Sequence, residues 1–380
     1  MYTSVRELET EDGARVIRQT QSIAVGDGLN YTKIQQNPVI TADVLPEGSS
    51  SIDFRDPRIW KEGNTYYSCI GSRNADDSGQ IALFSSGDTE TWKWEGIIDR
   101  CNNRYGKMWE CPDFFELDGK QVLLVSPQDM LPQGFEYHNG NGTVCFIGEF
   151  DERTNTFTEE YNQAIDYGID FYAPQTIRTP DGRRVMIGWM QNWDTCNLHS
   201  PNRPWFEQMR ELSIKNGRLI QKPVRELEKM RRNRVAYEHV IFADKISLDG
   251  VKGRRIDLEL TLRPADDSEI YRKFAIRFAQ NDICHTAVSF RPHESILKID
   301  RKFSGSRRAS IHQRRSFVGG RDGKIRLRII LDNFSAELFV NDGEQVLTAT
   351  IYTDLSAEGI SFYVDGKAEI DVVKYELTAE

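Results

Sequence analysis

Phe54-Arg55-Asp56-Pro57-Arg58-Ile59-Trp60 and Trp109-Glu110-Cys111-Pro112-Asp113-Phe114-Phe115 are two copies of one phrase. Each runs into a turn, Lys61-Glu62-Gly63-Asn64 or Leu117-Asp118-Gly119-Lys120, and then into an apolar run, Tyr66 to Ile70 or Val122 to Val125. A third copy, Asp170-Phe171-Tyr172-Ala173-Pro174-Gln175, passes through Pro180-Asp181-Gly182 into Val185-Met186-Ile187-Gly188-Trp189. With Pro57, Pro112 and Pro174 as register marks, the steps are 55 and 62 residues. A period of that size, filled with short strands and turns, predicts propeller blades.

The rest of each unit repeats as well. Gln80 to Phe84, Gly87-Asp88 and Trp92 to Ile98 follow the same grammar as Gln21 to Val25, Asp27-Gly28 and Asn30 to Ile40. Val144 to Phe150, Asp151-Glu152-Arg153-Thr154 and Phe157 onward form a looser copy. Asp-Gly and Gly-Asp between apolar runs mark hairpins, because these residues tolerate the positive φ of tight turns. Four strands per repeat follow, and in a propeller the first strand of each blade lines the central channel. On this reading Asp56 and Glu110 stand at matching places, facing an axial pocket shared with the Tyr172 region. Paired carboxylates on neighbouring inner strands suit a glycosidase. The alternative is that they cap strands or pair with Arg55 on a solvated rim.

Beyond the blades the pattern changes. Val224, Leu227 and Met230 recur at helical spacing, which predicts a short helical linker over residues 223–235 between a propeller domain, 1–222, and a second domain, 236–380. There the apolar residues alternate strictly: Ile256, Leu258, Leu260 and Leu262 share one face, as do Phe274, Ile276 and Phe278, then Ile325, Leu327 and Ile329, then Ile360, Phe362 and Val364. With turns at Asp249-Gly250, Asp322-Gly323, Asp342-Gly343 and Asp365-Gly366, this predicts a β-sandwich.

The motifs resemble those of glycoside hydrolase family 32, the invertases, sucrose-6-phosphate hydrolases and fructan β-fructosidases. The matching stretches are Phe54 to Pro57, Gly106-Lys107-Met108-Trp109-Glu110-Cys111-Pro112-Asp113, Asp170 to Gln175, Ile187-Gly188-Trp189-Met190-Gln191, Arg210-Glu211-Leu212 and Asp332 to Asn341. The resemblance implies an all-β fold, a five-bladed-type β-propeller followed by a C-terminal β-sandwich. It implies Asp56 as transition-state stabiliser, Glu110 as general acid/base, and Arg55 and Tyr172 lining a fructosyl site, with Trp189 or Trp193 as an apolar wall. Cleaving a fructosyl bond builds positive charge on the anomeric carbon and needs a proton on the leaving oxygen. An acid in partly apolar surroundings, which Trp109, Phe114 and Phe115 could supply, suits the second task. Asp56 beside Arg55 is expected to stay ionised.

The family carries its nucleophile in an Asn-Asp-Pro motif ahead of the Arg-Asp-Pro one, and none precedes Asp56. Asn341-Asp342-Gly343 reads as a hairpin turn. The expectation is therefore a propeller incomplete at its N-terminus, without a nucleophile and prone to self-association through an open blade edge. A sugar-binding propeller without turnover is the alternative function, and a five-bladed furanosidase of another clan a third. Phe206 to Arg210 is also shorter than the family's approach to the Arg-Glu-Leu segment.

A net charge of −9 argues against a nucleic-acid partner, and the clusters Arg301-Lys302, Arg307-Arg308 and Arg314-Arg315 read as a solvated hairpin. Six cysteines without a Cys-x-x-Cys pair read as reduced thiols of a cytoplasmic protein. No signal peptide and no apolar run of membrane length are evident. The expected partner is a fructose-containing sugar, with no cofactor, metal or membrane.

Overall fold

The computed structural model describes residues 1–9, 13–191, 207–265, 269–305 and 311–378, and turns the apolar runs of the repeat into strands. An N-terminal hairpin pairs β1 (Tyr2–Glu9) with β2 (Arg15–Ser22), and a smaller one pairs β3 (Ala24–Gly26) with β4 (Tyr31–Lys33). Three four-stranded sheets follow in simple up-and-down order. They are β5 (Phe54–Glu62), β6 (Thr65–Arg73), β7 (Gly79–Ser86) and β8 (Lys93–Arg100); then β9 (Trp109–Leu117), β10 (Lys120–Pro127), β11 (Val144–Asp151) and β12 (Thr156–Ala164); then β13 (Tyr172–Arg178), β14 (Arg184–Trp189), β15 (Glu207–Lys215) and β16 (Arg218–Pro223). These are propeller blades.

The chain divides into two compact units. One holds Met1–Leu131, Gly140–Gln163 and Ala173–Gln175, hence the first two blades; the other holds Pro132–Asn139, Ala164–Tyr172 and Thr176–Glu380. In the first blade the strands alternate so that Phe54, Ile70, Ala82 and Phe84 meet Ile40 and Leu45 in a dry core. In the second, Trp109 stacks on Phe146 with centroids 5.3 Å apart, and Phe114 meets Phe150 edge-on at 5.0 Å. Trp109 and Phe114 thus serve the blade's packing.

Gly79, at the start of β7, shows how closely β9 approaches. A Cβ there would lie 2.5 Å from the Trp109 ring and 2.7 Å from the Lys107 carbonyl. Neither neighbour can move cheaply, because Trp109 is fully buried and its Nε1 donates to the Tyr105 carbonyl. Gly79→Ala is expected to cost about 1–3 kcal/mol by overpacking, read as a lowered thermal midpoint.

The expected strands over Gln21 to Val25 and Asn30 to Ile40 shrink to β3 and β4. The reason is local: Asn37 Oδ1 accepts from Ile23 N at 2.7 Å and its Nδ2 donates to the Ile23 carbonyl at 2.8 Å. A side-chain amide thus takes the groups a longer ladder would use.

After β16 the expected helical linker is two turns of 3₁₀ helix, Arg225–Met230, and Arg231 already opens β17 (Arg231–Ile246). The sandwich continues with β18 (Ile256–Pro264), β19 (Lys273–Gln280), β20 (His285–Arg291), β21 (Ile296–Phe303), β22 (Gln313–Phe317), β23 (Ile325–Asp332), β24 (Ser335–Val340), β25 (Gln345–Thr350) and β26 (Gly359–Leu377). β26 joins its two halves, pairing with β19 through residues 359–365 and with β18 through residues 368–376, while β17 runs along both stretches. Asp365-Gly366, expected as a hairpin turn, is instead a bulge inside β26. The register jumps there from Ala243↔Lys367 to Asp244↔Val364, and Gly366 at φ +116° supplies the bend.

Candidate active site

Asp56, Cys111 and Ala173 each precede a repeat proline, and each has a left-handed backbone, φ 61°, 49° and 52°. L-residues avoid this region and the residue before proline ordinarily sits in the extended one. Such a conformation costs on the order of 1–3 kcal/mol and persists only where the surroundings impose it.

The ladder shows what imposes it. Arg55 pairs with Gly71 and Arg58 with Cys69, so one extra residue is inserted on β5; Glu110 pairs with Ser126 and Asp113 with Leu124, the same insertion on β9. These are β-bulges in one register, features that re-aim side chains.

This register corrects the sequence reading by one residue. Asp56 matches Cys111, and Glu110 matches Arg55. The two carboxylates meet because the bulge turns consecutive positions toward the neighbouring blade. Arg55 Nε donates to Glu110 Oε1 at 2.9 Å, and Cys111 N donates to Asp56 Oδ2 at 3.0 Å. Positions 55 and 56 of one blade therefore clasp positions 110 and 111 of the next.

Further contacts hold the clasp. Arg55 Nη1 donates to Asp53 Oδ1 at 2.8 Å, and Asp53 also binds Arg73 at 2.7 Å. Asp56 N donates to Thr3 Oγ1 at 3.0 Å, while Gln19 Oε1 accepts from Phe54 N and Gln21 Nε2 donates to the Phe54 carbonyl. One position after the prolines, Arg58 pairs with the buried Asp113 at 3.1 Å, and Gln175 Nε2 donates to the Cys111 carbonyl at 3.0 Å. Thr3, Gln19, Gln21 and Asp53 were not singled out from sequence, since nothing in their spacing ties them to the repeat. The equivalence of Arg58, Asp113 and Gln175 was legible, each standing one place after a repeat proline.

Arg55 and Glu110 are nearly enclosed, their side chains 17% and 12% exposed. Asp56 departs from expectation: burial pushes its carboxyl above the ordinary range and the charge of Glu110 adds to this, against the Cys111 hydrogen bond and Arg55. The guanidinium expected to hold Asp56 ionised is engaged by Glu110 and Asp53.

Tyr172 opens β13 and is 1% exposed, while Trp189 closes β14, half-buried. Next to Tyr172, Ala173 N donates to Ser126 Oγ at 3.2 Å. Tyr172 and Trp189 belong to the second compact unit, Arg55, Asp56 and Glu110 to the first. Trp193 lies outside the described residues.

The glycosyl hydrolases family 32 N-terminal domain model matches residues 1–223, and the family 32 C-terminal model matches residues 226–379. The chain belongs to glycoside hydrolase family 32. It is 31% identical to a sucrose-6-phosphate hydrolase of Staphylococcus xylosus, over 91% of this chain and 70% of that one. It is 30% identical to a raffinose invertase of Escherichia coli, over 96% and 73% of the two chains. Among solved structures, the Bombyx mori family 32 β-fructofuranosidase superposes with a TM-score of 0.78 at 29% identity, covering 99% of this chain and 75% of that one. The sucrose-6-phosphate hydrolase of Lactobacillus gasseri gives 0.80 at 26%, over 99% and 75%. The family 32 fold is thus a propeller followed by a β-sandwich, and its members include named hydrolases.

Proposed function

We propose that the clasp of Arg55, Asp56 and Glu110 receives a terminal β-fructofuranosyl unit, and that the reaction it serves is hydrolysis of sucrose, sucrose 6-phosphate or a short fructan. Glu110 protonates the leaving oxygen, Asp56 holds sugar hydroxyls, and Arg55 orients Glu110. For Tyr172, Trp189 and Trp193 the sugar-binding role rests on the family resemblance alone. The observation that carries it is the reciprocal pairing of 55 with 110 and 56 with 111, which brings the first strands of two neighbouring blades together at the two carboxylates. The substrates are those in the names of the similar hydrolases.

The mechanism we infer is retaining, which needs a second carboxylate about 5–5.5 Å from the acid to attack the anomeric carbon. Asp56 is committed elsewhere, with Oδ2 accepting from both N and Sγ of Cys111. Asp56 is therefore not the nucleophile in this reading, and with no Asn-Asp-Pro motif ahead of it we infer that this chain supplies none. The same commitment favours a second reading, sugar binding without turnover by this chain alone. A reducing-sugar assay on the purified chain, with sucrose and with sucrose 6-phosphate, separates the two. Release at the uncatalysed rate is the expected result. Rapid hydrolysis without any added component would mean that a residue of this chain attacks, and the assignment of Asp56 would fall.

A further inference from the structure

We propose that the outer face of the β19–β22 sheet carries a binding site for a phosphate group, borne by a small phosphomonoester or present as the free ion. The sheet register places its parts. Ala275, Ser289, Lys298 and Arg315 are successive partners across the four strands, and Arg291 pairs with Ile296 beside them. The residues between, Phe274, Phe290, Leu297 and Ser316, are fully buried on the opposite face, so the cations all project outward.

They surround a cavity of about 130 Å³ lined by Lys273, Ser289, Arg291, Lys298 and Arg315, with Glu294 and Ile296 completing it. That is room for one tetrahedral oxyanion. Two of the cations are partly neutralised, Arg291 by Glu294 at 2.9 Å and Lys298 by Asp300 at 2.9 Å. Among the described residues, the Lys273 ammonium and the Arg315 guanidinium have no hydrogen-bond or ion-pair partner. The Ser289 hydroxyl has none either, although the residue is only 8% exposed and lines the cavity.

A hydroxyl in the cavity wall beside two unpaired cations is a set of donors without an acceptor. A phosphate supplies acceptors and charge together. The field is already positive: burial, then the cations of Arg291, Lys298 and Arg277, hold the Lys273 ammonium below the usual lysine range, with only Asp365 opposing. This concentration of cations stands out on a chain whose net charge is −9. The site is independent of the fructosyl chemistry proposed above.

Titration of the full chain at low salt with inorganic phosphate and with glycerol phosphate, followed by calorimetry and by ³¹P line broadening, tests it. Saturable binding is expected, weakened about tenfold or more by Lys273→Met and by Arg315→Gln, as removal of one neighbouring charge implies. Ser289→Ala weakens it less, and Arg326→Gln, on β23, leaves it unchanged. Unaltered thermal midpoints show that the variants fold. Tighter binding of glycerol phosphate points to a phosphomonoester ligand, and tighter binding of inorganic phosphate to the free ion. No saturable binding of either, or binding that Lys273→Met and Arg315→Gln leave intact, overturns the proposal.

Discussion

With azide or formate supplied as an external nucleophile, Glu110→Gln is expected to lower fructosyl transfer from sucrose by about 10²- to 10⁴-fold, the usual contribution of a general acid. The added anion attacks the anomeric carbon, the bond to the glucosyl oxygen breaks, and that oxygen leaves with the proton of Glu110. A β-fructosyl fluoride needs no such proton, so its transfer should change by less than about tenfold. Gln keeps the size of Glu and an acceptor for Arg55 Nε, which now sits 2.9 Å from Oε1. A fold defect is therefore not the expected cause of the loss. Product analysis by mass spectrometry reads both rates, and equal losses for the two donors would contradict an acid role.

Arg210→Met is expected to destabilise the second unit by about 3–5 kcal/mol, the cost of breaking a buried ion network by removing one partner. Arg210 is wholly buried on β15, with its guanidinium on the Phe171 ring at 4.4 Å. It donates to Glu337 Oε2 at 2.8 Å, Asp166 Oδ2 at 2.9 Å, Gln221 Oε1 at 2.9 Å and Thr348 Oγ1 at 2.7 Å. Without it two carboxylates remain in an interior that cannot solvate them. Glu337→Gln is expected to be far milder, because one guanidinium between two acids leaves an excess negative charge that Gln removes.

The pH dependence follows from the same imbalance. Burial pushes the Glu337 carboxyl up to about 7, against the attraction of Arg210. The folded state then holds this proton more tightly than the unfolded one, where the carboxyl has its ordinary value of 4.5. Its contribution is therefore fully present below about 4.5 and is lost as pH rises through about 7. Thermal midpoints from pH 5 to 8 should fall less in Glu337→Gln than in the unaltered chain.

The blades were legible because strand periodicity and turn residues are local properties, and the prolines carried the register. What the prolines meant for the backbone was not legible. A residue before proline reads as extended, yet Asp56, Cys111 and Ala173 are left-handed, because the bulge is a property of the strand pair. The match of Asp56 to Glu110 was off by one for a simpler reason, since the 55-residue step from Pro57 to Pro112 already sets Asp56 against Cys111. The Arg55–Glu110 pair was hidden because sequence placed Arg55 beside Asp56 and gave no measure of reach to the next blade. In the sandwich, strict alternation revealed the strands, while Asp365-Gly366 misled. A Gly at positive φ bends a strand as readily as it closes a hairpin, and only the continued pairing with β17 distinguishes them.

Whether Asp56 and Glu110 form one sugar-binding clasp is read from calorimetric titration of the purified chain with sucrose and fructose beside Asp56→Asn. Asn tolerates the left-handed backbone and retains an acceptor for Cys111 N, so this change removes the charge and little else. Saturable binding of a fructose-containing sugar is expected, weakened at least about tenfold by Asp56→Asn. Binding of equal strength in the two chains, or none in either, would contradict it.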